Sequence, residues 1–280
     1  MRPTVRLWIG GDVFLGTGGN GALASIPSIV DGAPGIVNLE GAIGDGNAGA
    51  SGQPIRLVHA AGALAELRAA GVAVAGIANN HARDTGAGGP AATARALSAA
   101  GLQAAGEPAG PAMLAMGGLR VVVTAHDLAA GVPARLAAEL AAARRRGDVL
   151  IATFHVTGPP SYLPRPELVD AVAIALDAGA AVVAAHGTHE LARVERRGRA
   201  VIAWGLGNLA FACACTDEDS GALLEVTLGA GGVAEAAIIP IDAGLASRAA
   251  RASGDPGLAF ELLEALGSSR LQRRGGRAIF

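Results

Sequence analysis

The 280-residue sequence predicts an α/β fold with a partly parallel sheet. Three observations carry that reading. Short β-branched runs alternate with Ala- and Leu-rich runs of helical length, the order that builds strand–helix–strand units. The last strand-like runs have hairpin-length connections, which makes part of the sheet antiparallel. Polar residues collect at the carboxyl tips of the strands, where open α/β folds place their sites.

Each element follows from its local sequence. The first strand, 4-TVRLWIG-10, is a β-branched and aromatic run that stops at a Gly-Gly-Asp turn. Further strands are expected over 35–40, 72–78, 119–125, 149–155, 181–186, 200–208, 222–228 and 233–241. Helices are expected over 60–70, 90–100, 133–146, 166–178 and near 256–266. Pro90 and Pro166 stand at or near first turns, where a missing N–H costs nothing. Arg144, Arg145 and Arg146 close the 133–146 helix as a solvated, dipole-compatible end. No repeat or low-complexity linker divides the chain. Residues 1–245 are expected to form one domain, with 246–280 as a C-terminal helix and tail packed on it.

Composition narrows the function. Hydrophobic residues make up 51% and aromatics 3%, so the core must be built from Ala, Val, Leu and Ile. Every basic residue is Arg, and the net charge is −2, which argues against a nucleic-acid surface. The opening segment predicts no signal peptide, and no apolar run reaches the ~18 residues of a membrane span. Cys213 and Cys215 are the only cysteines, so no disulfide framework is expected and a reducing cytoplasm is the simplest setting. They alternate along 209-LAFACAC-215, so both would face one side of a strand, to pack there or to reach a metal; packing is the preferred reading. The Ala-rich surface is compatible with a homodimer, although no pattern specifies one.

The strand tips carry Asp12, Asn38 with Glu40, Asn79-Asn80-His81, His155, His186 with His189, and Asn208. Taken singly, each has a plain structural reading: a turn aspartate, a loop carboxylate, helix-capping amides, a core histidine. His59 and His126 are read as structural or peripheral. Taken jointly, the tips bring carboxylate, imidazole and amide oxygen to one edge, a donor set for Zn, Mn or Fe. Such an ion lowers the pKa of bound water toward ~7 and so supplies hydroxide at neutral pH.

The pieces 10-GGDVFLG-16, 38-NLEGAI-43, 78-ANNHARDTGAGG-89, 154-FHVTG-158, 186-HGTH-189 and 204-WGLGNLAF-211 together resemble the poly-γ-glutamate capsule-biosynthesis (CapA-type) family, within the calcineurin-like metallophosphoesterases. The resemblance implies a layered α/β/β/α sandwich with mixed sheets flanked by helices. It also implies one or two divalent ions held by Asp12, Glu40, Asn80, His155, His186 and His189. His81 matches the histidine that protonates the leaving group, with Asp84 orienting it. Asn79 and Asn208 are expected near the substrate. Three departures from the family pattern stand out. Phe14 replaces the usual histidine two residues after Asp12. The segment 155-HVTGPPSY-162 lacks the usual Trp and Glu. The second histidine loop has Thr188 where Pro is common, and its His-x-x-His spacing is one longer than usual.

The resulting expectation is a cytoplasmic, metal-dependent hydrolase acting on a phosphoester or a γ-glutamyl-like amide. Two alternatives stand beside it: an accessory subunit of a poly-γ-glutamate or amide ligase assembly, and a small-molecule biosynthetic enzyme using the same metal site.

Overall fold

The β-branched runs pair into two large sheets and one two-stranded sheet, and the helical runs cover the outer faces of the large ones, in a computed structural model that describes residues 4–18, 20–44, 55–246 and 248–280. Among these residues the strands are β1 (Thr4–Phe14), β2 (Gly35–Leu39), β3 (Ala42–Ile43), β4 (Val58–His59), β5 (Val72–Gly76), β6 (Gln103–Ala105), β7 (Ala112–Met116), β8 (Leu119–Asp127), β9 (Val149–His155), β10 (Val182–His186), β11 (Val194–Arg197), β12 (Ala200–Ala203), β13 (Asn208–Phe211), β14 (Ser220–Gly229), β15 (Gly232–Asp242), β16 (Gly244–Leu245), β17 (Arg251–Ala252), β18 (Gln272–Arg274) and β19 (Arg277–Ile279). The helices are α1 (Ile26–Ile29), α2 (Gly62–Ala69), α3 (Gly89–Ala99), α4 (Leu136–Arg146), α5 (Pro166–Asp177) and α6 (Pro256–Ala265).

The first sheet runs β18-β19-β15-β14-β1-β2-β5-β6, and β13 also pairs with β1. The second runs β11-β12-β10-β9-β8-β7. Strands β1, β2, β5 and β6 pair in parallel, as do β8, β9, β10 and β12. Antiparallel pairs complete the sheets: β14–β15, β15–β19 and β18–β19 in the first, β11–β12 and β7–β8 in the second.

Strand alternation explains the layers. Leu7 and Ile9 point into a core shared with Val121, Val123 and Ile151 of the second sheet. Trp8, between them, points outward against Ile26, Leu67 and Leu97 of α1, α2 and α3. On the second sheet Val122 and Leu150 point outward against Leu140 of α4 and Leu168 and Val172 of α5. The result is the expected α/β/β/α sandwich. Helix α5 shows the local cause. Leu168, Ala171, Val172 and Ala175 recur at helical spacing and are buried. Burying Leu168 and Val172 contributes about 1.5–3 kcal/mol each. The tail closes the sandwich edge: Phe260, Leu263 and Ala278 join the shared core, and β19 pairs with β15.

Two expectations are corrected. The strand expected over 200–208 is two strands in different sheets. The chain leaves the second sheet after Ala203 and joins the first at Asn208, so of the last three expected strands only the final two, β14 and β15, form a hairpin. Gly207, at φ 64°, makes that crossing, which a continuous strand does not allow. Cys213 and Cys215 are not free residues on a strand. β13 ends at Phe211, and the turn that follows joins the two cysteines in a disulfide.

Candidate metal centre

The parallel strands of both sheets end at the same edge, and their register aligns the polar tips. Asp12 stands beside Asn38, and His155 lies between Asp127 and His186. A bulge after Asp12 turns the first strand there. The Asp12 carboxylate is fully buried. Its Oδ1 accepts from Asn38 Nδ2 at 2.8 Å and its Oδ2 from the Gly187 backbone N–H at 2.9 Å. Gly187 has φ 81°, and a Cβ there would strike Val156 O and the His155 ring, so this approach requires glycine.

Glu40 follows β2, and its carboxylate is buried. Its Oε2 lies 3.7 Å from His155 Nε2, and its Oε1 lies 3.8 Å from His189 Nε2. His186 Nδ1 is 3.7 Å from Asp12 Oδ1, and His189 Nδ1 is 3.3 Å from Asp12 Oδ2. Asp12, Glu40 and His189 offer donor atoms that all lie within 4.8 Å of one another. The structure therefore gathers Asp12, Glu40, His155, His186 and His189.

Hydrogen bonding tests whether a cation fits. Glu40 Oε2, Asn80 Oδ1, both ring nitrogens of His155 and both of His186 are buried without a hydrogen-bond partner. An unsatisfied buried polar atom costs about 1–3 kcal/mol, so folding would not leave six such atoms at one edge without something to meet them. They belong to carboxylate, amide and imidazole groups, which with one nitrogen of each ring as ligand make four donors that fit a divalent ion of the Zn, Mn or Fe type.

Electrostatics points the same way. Burial pushes the Asp12 carboxyl up, but His189, His186 and His155 outweigh it and hold the group below the ordinary carboxylate range. Burial opposes charge on His155, yet Asp127, Glu40 and Asp12 raise it to about 10. His189 is likewise raised to about 9, by Asp12 and Glu40 against burial. For His186 burial wins: its pKa falls to about 4, helped by His155 and only partly offset by Asp12. Without an ion, protons on His155 and His189 supply the positive charge that the buried carboxylate demands.

The loop after β5 holds a second arrangement. His81 Nδ1 is 2.7 Å from Asp84 Oδ2, which also accepts from the Leu57 backbone N–H at 2.6 Å. Asp84 is fully buried, so it fixes the ring of the partly exposed His81. With Nδ1–H directed at Asp84, Nε2 is the atom free to carry or accept a proton.

Two expected substrate residues have other work. The Asn79 side chain accepts from Gly41 N at 3.2 Å and donates to Leu39 O at 2.9 Å, which pins the segment carrying Glu40. The Asn208 Oδ1 lies 2.9 Å from His189 Nδ1, and its Nδ2 donates to Glu218 O at 2.8 Å, so Asn208 orients His189. Both amides are buried.

Sequence reasoning missed two contributors. Asp127 Oδ1 lies 3.7 Å from His155 Nδ1, the carboxylate–histidine arrangement that orients a metal-binding ring. The signal was present: extending the 119–125 strand by two residues sets Asp127 in register with His155. His59 is fully buried; its Nδ1 accepts from Leu15 N at 3.3 Å and its Nε2–H donates to Glu40 O at 3.0 Å. It is structural, as expected, but it also fixes the backbone of a candidate ligand. Phe14, where the resemblance leads one to expect a histidine, packs edge-on against His59 and beside Phe211, whose ring in turn stands 5.1 Å from that of His189.

Residues 26–212 match the family model described as bacterial capsule synthesis protein PGA_cap. No curated protein matches the chain significantly. Among solved structures, a hypothetical protein from Thermus thermophilus is similar at TM-score 0.57 and 15% identity, over 85% of this chain and 100% of that one. A putative 5'-nucleotidase from Staphylococcus aureus, solved with alpha-ketoglutarate, is similar at TM-score 0.56 and 10% identity, over 94% of this chain and 58% of that one. At these identities the likeness speaks for the fold, which is of the metallophosphoesterase type.

Proposed function

The chain belongs to the bacterial capsule synthesis protein family, and from that premise we propose that it is a metal-dependent hydrolase acting on a phosphoester or a γ-glutamyl-like amide. The observation that carries the proposal is the set of unpartnered buried donors on Glu40, Asn80, His155 and His186, one ligand atom from each. Asp12, Glu40, Asn80, His155, His186 and His189 would hold one or two ions of Mn, Zn or Fe. Bound there, a divalent ion supplies Lewis acidity and acidifies water near pH 7.

The remaining chemistry falls to the chain itself. His81 holds a proton at Nε2 for the leaving group, and Asp84 stabilises the charged ring through Nδ1. Asp127 and Asn208 keep the His155 and His189 rings in place. Among the described residues no helix is long and apolar enough to cross a membrane, and a small-molecule substrate is part of this reading.

One observation favours the accessory role in an amide ligase assembly: Phe14 makes apolar the position where relatives usually supply an imidazole. His81→Ala separates the two readings. Protein purified without chelator is analysed for metal, and turnover of a generic phosphodiester is followed. A hydrolase retains its ion and loses about two to four orders of magnitude in rate. Absence of any co-purifying or activating divalent ion refutes the hydrolase, and unchanged biological activity in the variant supports the accessory role.

A further inference from the structure

A second cleft opens between the end of β8, helix α4 and the turn joining β6 to β7. Its volume is about 240 Å³, just under the ~300 Å³ at which sites for drug-sized ligands begin. Helix α4 presents Glu139, Ala142, Ala143 and Arg146 to it. These residues stand at i, i+3, i+4 and i+7, so they form one stripe along the helix. The two charged ends of the stripe are two turns apart, ~10 Å along the axis.

The two ends differ in chemistry. At the Glu139 end, His126 Nδ1 lies 3.8 Å from Glu139 Oε2. Arg135 takes the other carboxylate oxygen at 3.4 Å. His126 Nε2 and Thr124 Oγ1 are buried there with no hydrogen-bond partner. Burial holds the His126 imidazole below its ordinary pKa, so it is neutral near pH 7. With its proton on Nδ1 toward Glu139, Nε2 is an unfilled acceptor. This end therefore asks for a donor, and best for a cationic one. At the other end Arg146 is exposed and makes no ion pair among the described residues. Between them the alanines form a shallow apolar floor.

We propose that this cleft binds a small extended zwitterion, with its ammonium at Glu139 and His126 and its carboxylate at Arg146. Omega-amino acids and short peptides belong to that class. An apolar spacer lies along Ala142 and Ala143, and Thr124 takes a further hydrogen bond from the ligand. Nothing in this site overlaps the donor set of the metal centre. Either reading can therefore fail without the other.

Titration calorimetry on the full chain tests it, with 6-aminohexanoate as the probe. Hexylamine and hexanoate each lack one charged end. The expected result is one 6-aminohexanoate per chain, with each truncated probe weaker by about tenfold or more, the equivalent of ~1.4 kcal/mol. Arg146→Gln, a change at an exposed helix end, should weaken 6-aminohexanoate by the same factor and leave hexylamine unchanged. Ala142→Leu, also exposed, should fill the floor and weaken every probe. No heat at millimolar probe, equal binding of all three probes, or an Arg146→Gln variant with full affinity would overturn the proposal.

Discussion

Metal binding at the proposed centre must displace protons, and the structure says how many. His155 and His189 titrate at about 10 and about 9, so both are protonated at pH 7 when no ion is bound. An imidazolium cannot ligate, so each must lose its proton. At pH 7 that is three pH units for His155 and two for His189. At 1.36 kcal/mol per unit the two protons oppose metal binding by about 7 kcal/mol. The sign follows directly: raising pH removes the competing protons, so affinity rises. Between pH 6.5 and 8.5 the logarithm of the apparent affinity should climb by about two per pH unit. His186, at about 4, is already neutral across that range and adds nothing to the slope. Calorimetry with Mn²⁺ or Zn²⁺, in buffers of different ionisation enthalpy, counts the protons directly. About two should leave per ion at pH 7. Release of fewer than one, or an affinity flat across this range, would refute the ligand assignment.

Three further outcomes follow from the same geometry. Asp12→Asn keeps only one of the two acceptor oxygens that Asn38 and the Gly187 N–H use and removes the charge between the imidazoles; metal affinity measured by competition should fall by more than about a hundredfold. Asn208→Ala frees the His189 ring, and the same assay should show a loss of about 10–100-fold with the secondary structure intact by circular dichroism. Burial keeps His59 neutral, lowering its pKa from 6.5 to about 4 against the raising effect of its hydrogen bond to Glu40 O. Its contribution is complete above pH 6.5 and is lost as pH falls toward 4, about 3 kcal/mol in all. His59→Phe should therefore unfold more easily in urea at pH 7, and its deficit should shrink toward pH 4; a constant deficit would sink that account.

Much of the fold was legible because alternation and helical spacing are local. The expected 149–155 strand is β9 to the residue, and the 166–178 helix is α5 but for its last residue. Those segments carry strong periodicity and clear Pro or Gly boundaries. What escaped depends on partners far away in sequence. Leu206 and Gly207 read as strand because they are flanked by β-formers; only the second sheet's position makes them a crossing. His59 shows nothing in its neighbours, since its partners Leu15 and Glu40 come from other loops. The partners of Asn79 and Asn208 were likewise hidden, since Gly41, Leu39, His189 and Glu218 lie far from them in sequence. The histidine and carboxylate cluster was readable for the opposite reason. Parallel strands put their carboxyl ends at one edge, so tip residues far apart in sequence are placed together by topology alone.

The chain's path between the two sheets gives the centre one more property. The segment carrying β1, β2, β5 and β6 brings the proposed ligands Asp12, Glu40 and Asn80; β7 to β12 then leave for the second sheet and bring the proposed ligands His155, His186 and His189, before the chain returns at β13. No contiguous fragment confined to one sheet owns a full ligand set. An ion captured at this edge thus acts as a receipt for docking: it is retained only once both halves have closed on each other. A chain stalled with one sheet built would expose an acidic tip or a histidine tip, each too poor a ligand set to keep the ion. Metal content per chain would then serve as an assay of folding yield as well as of chemistry.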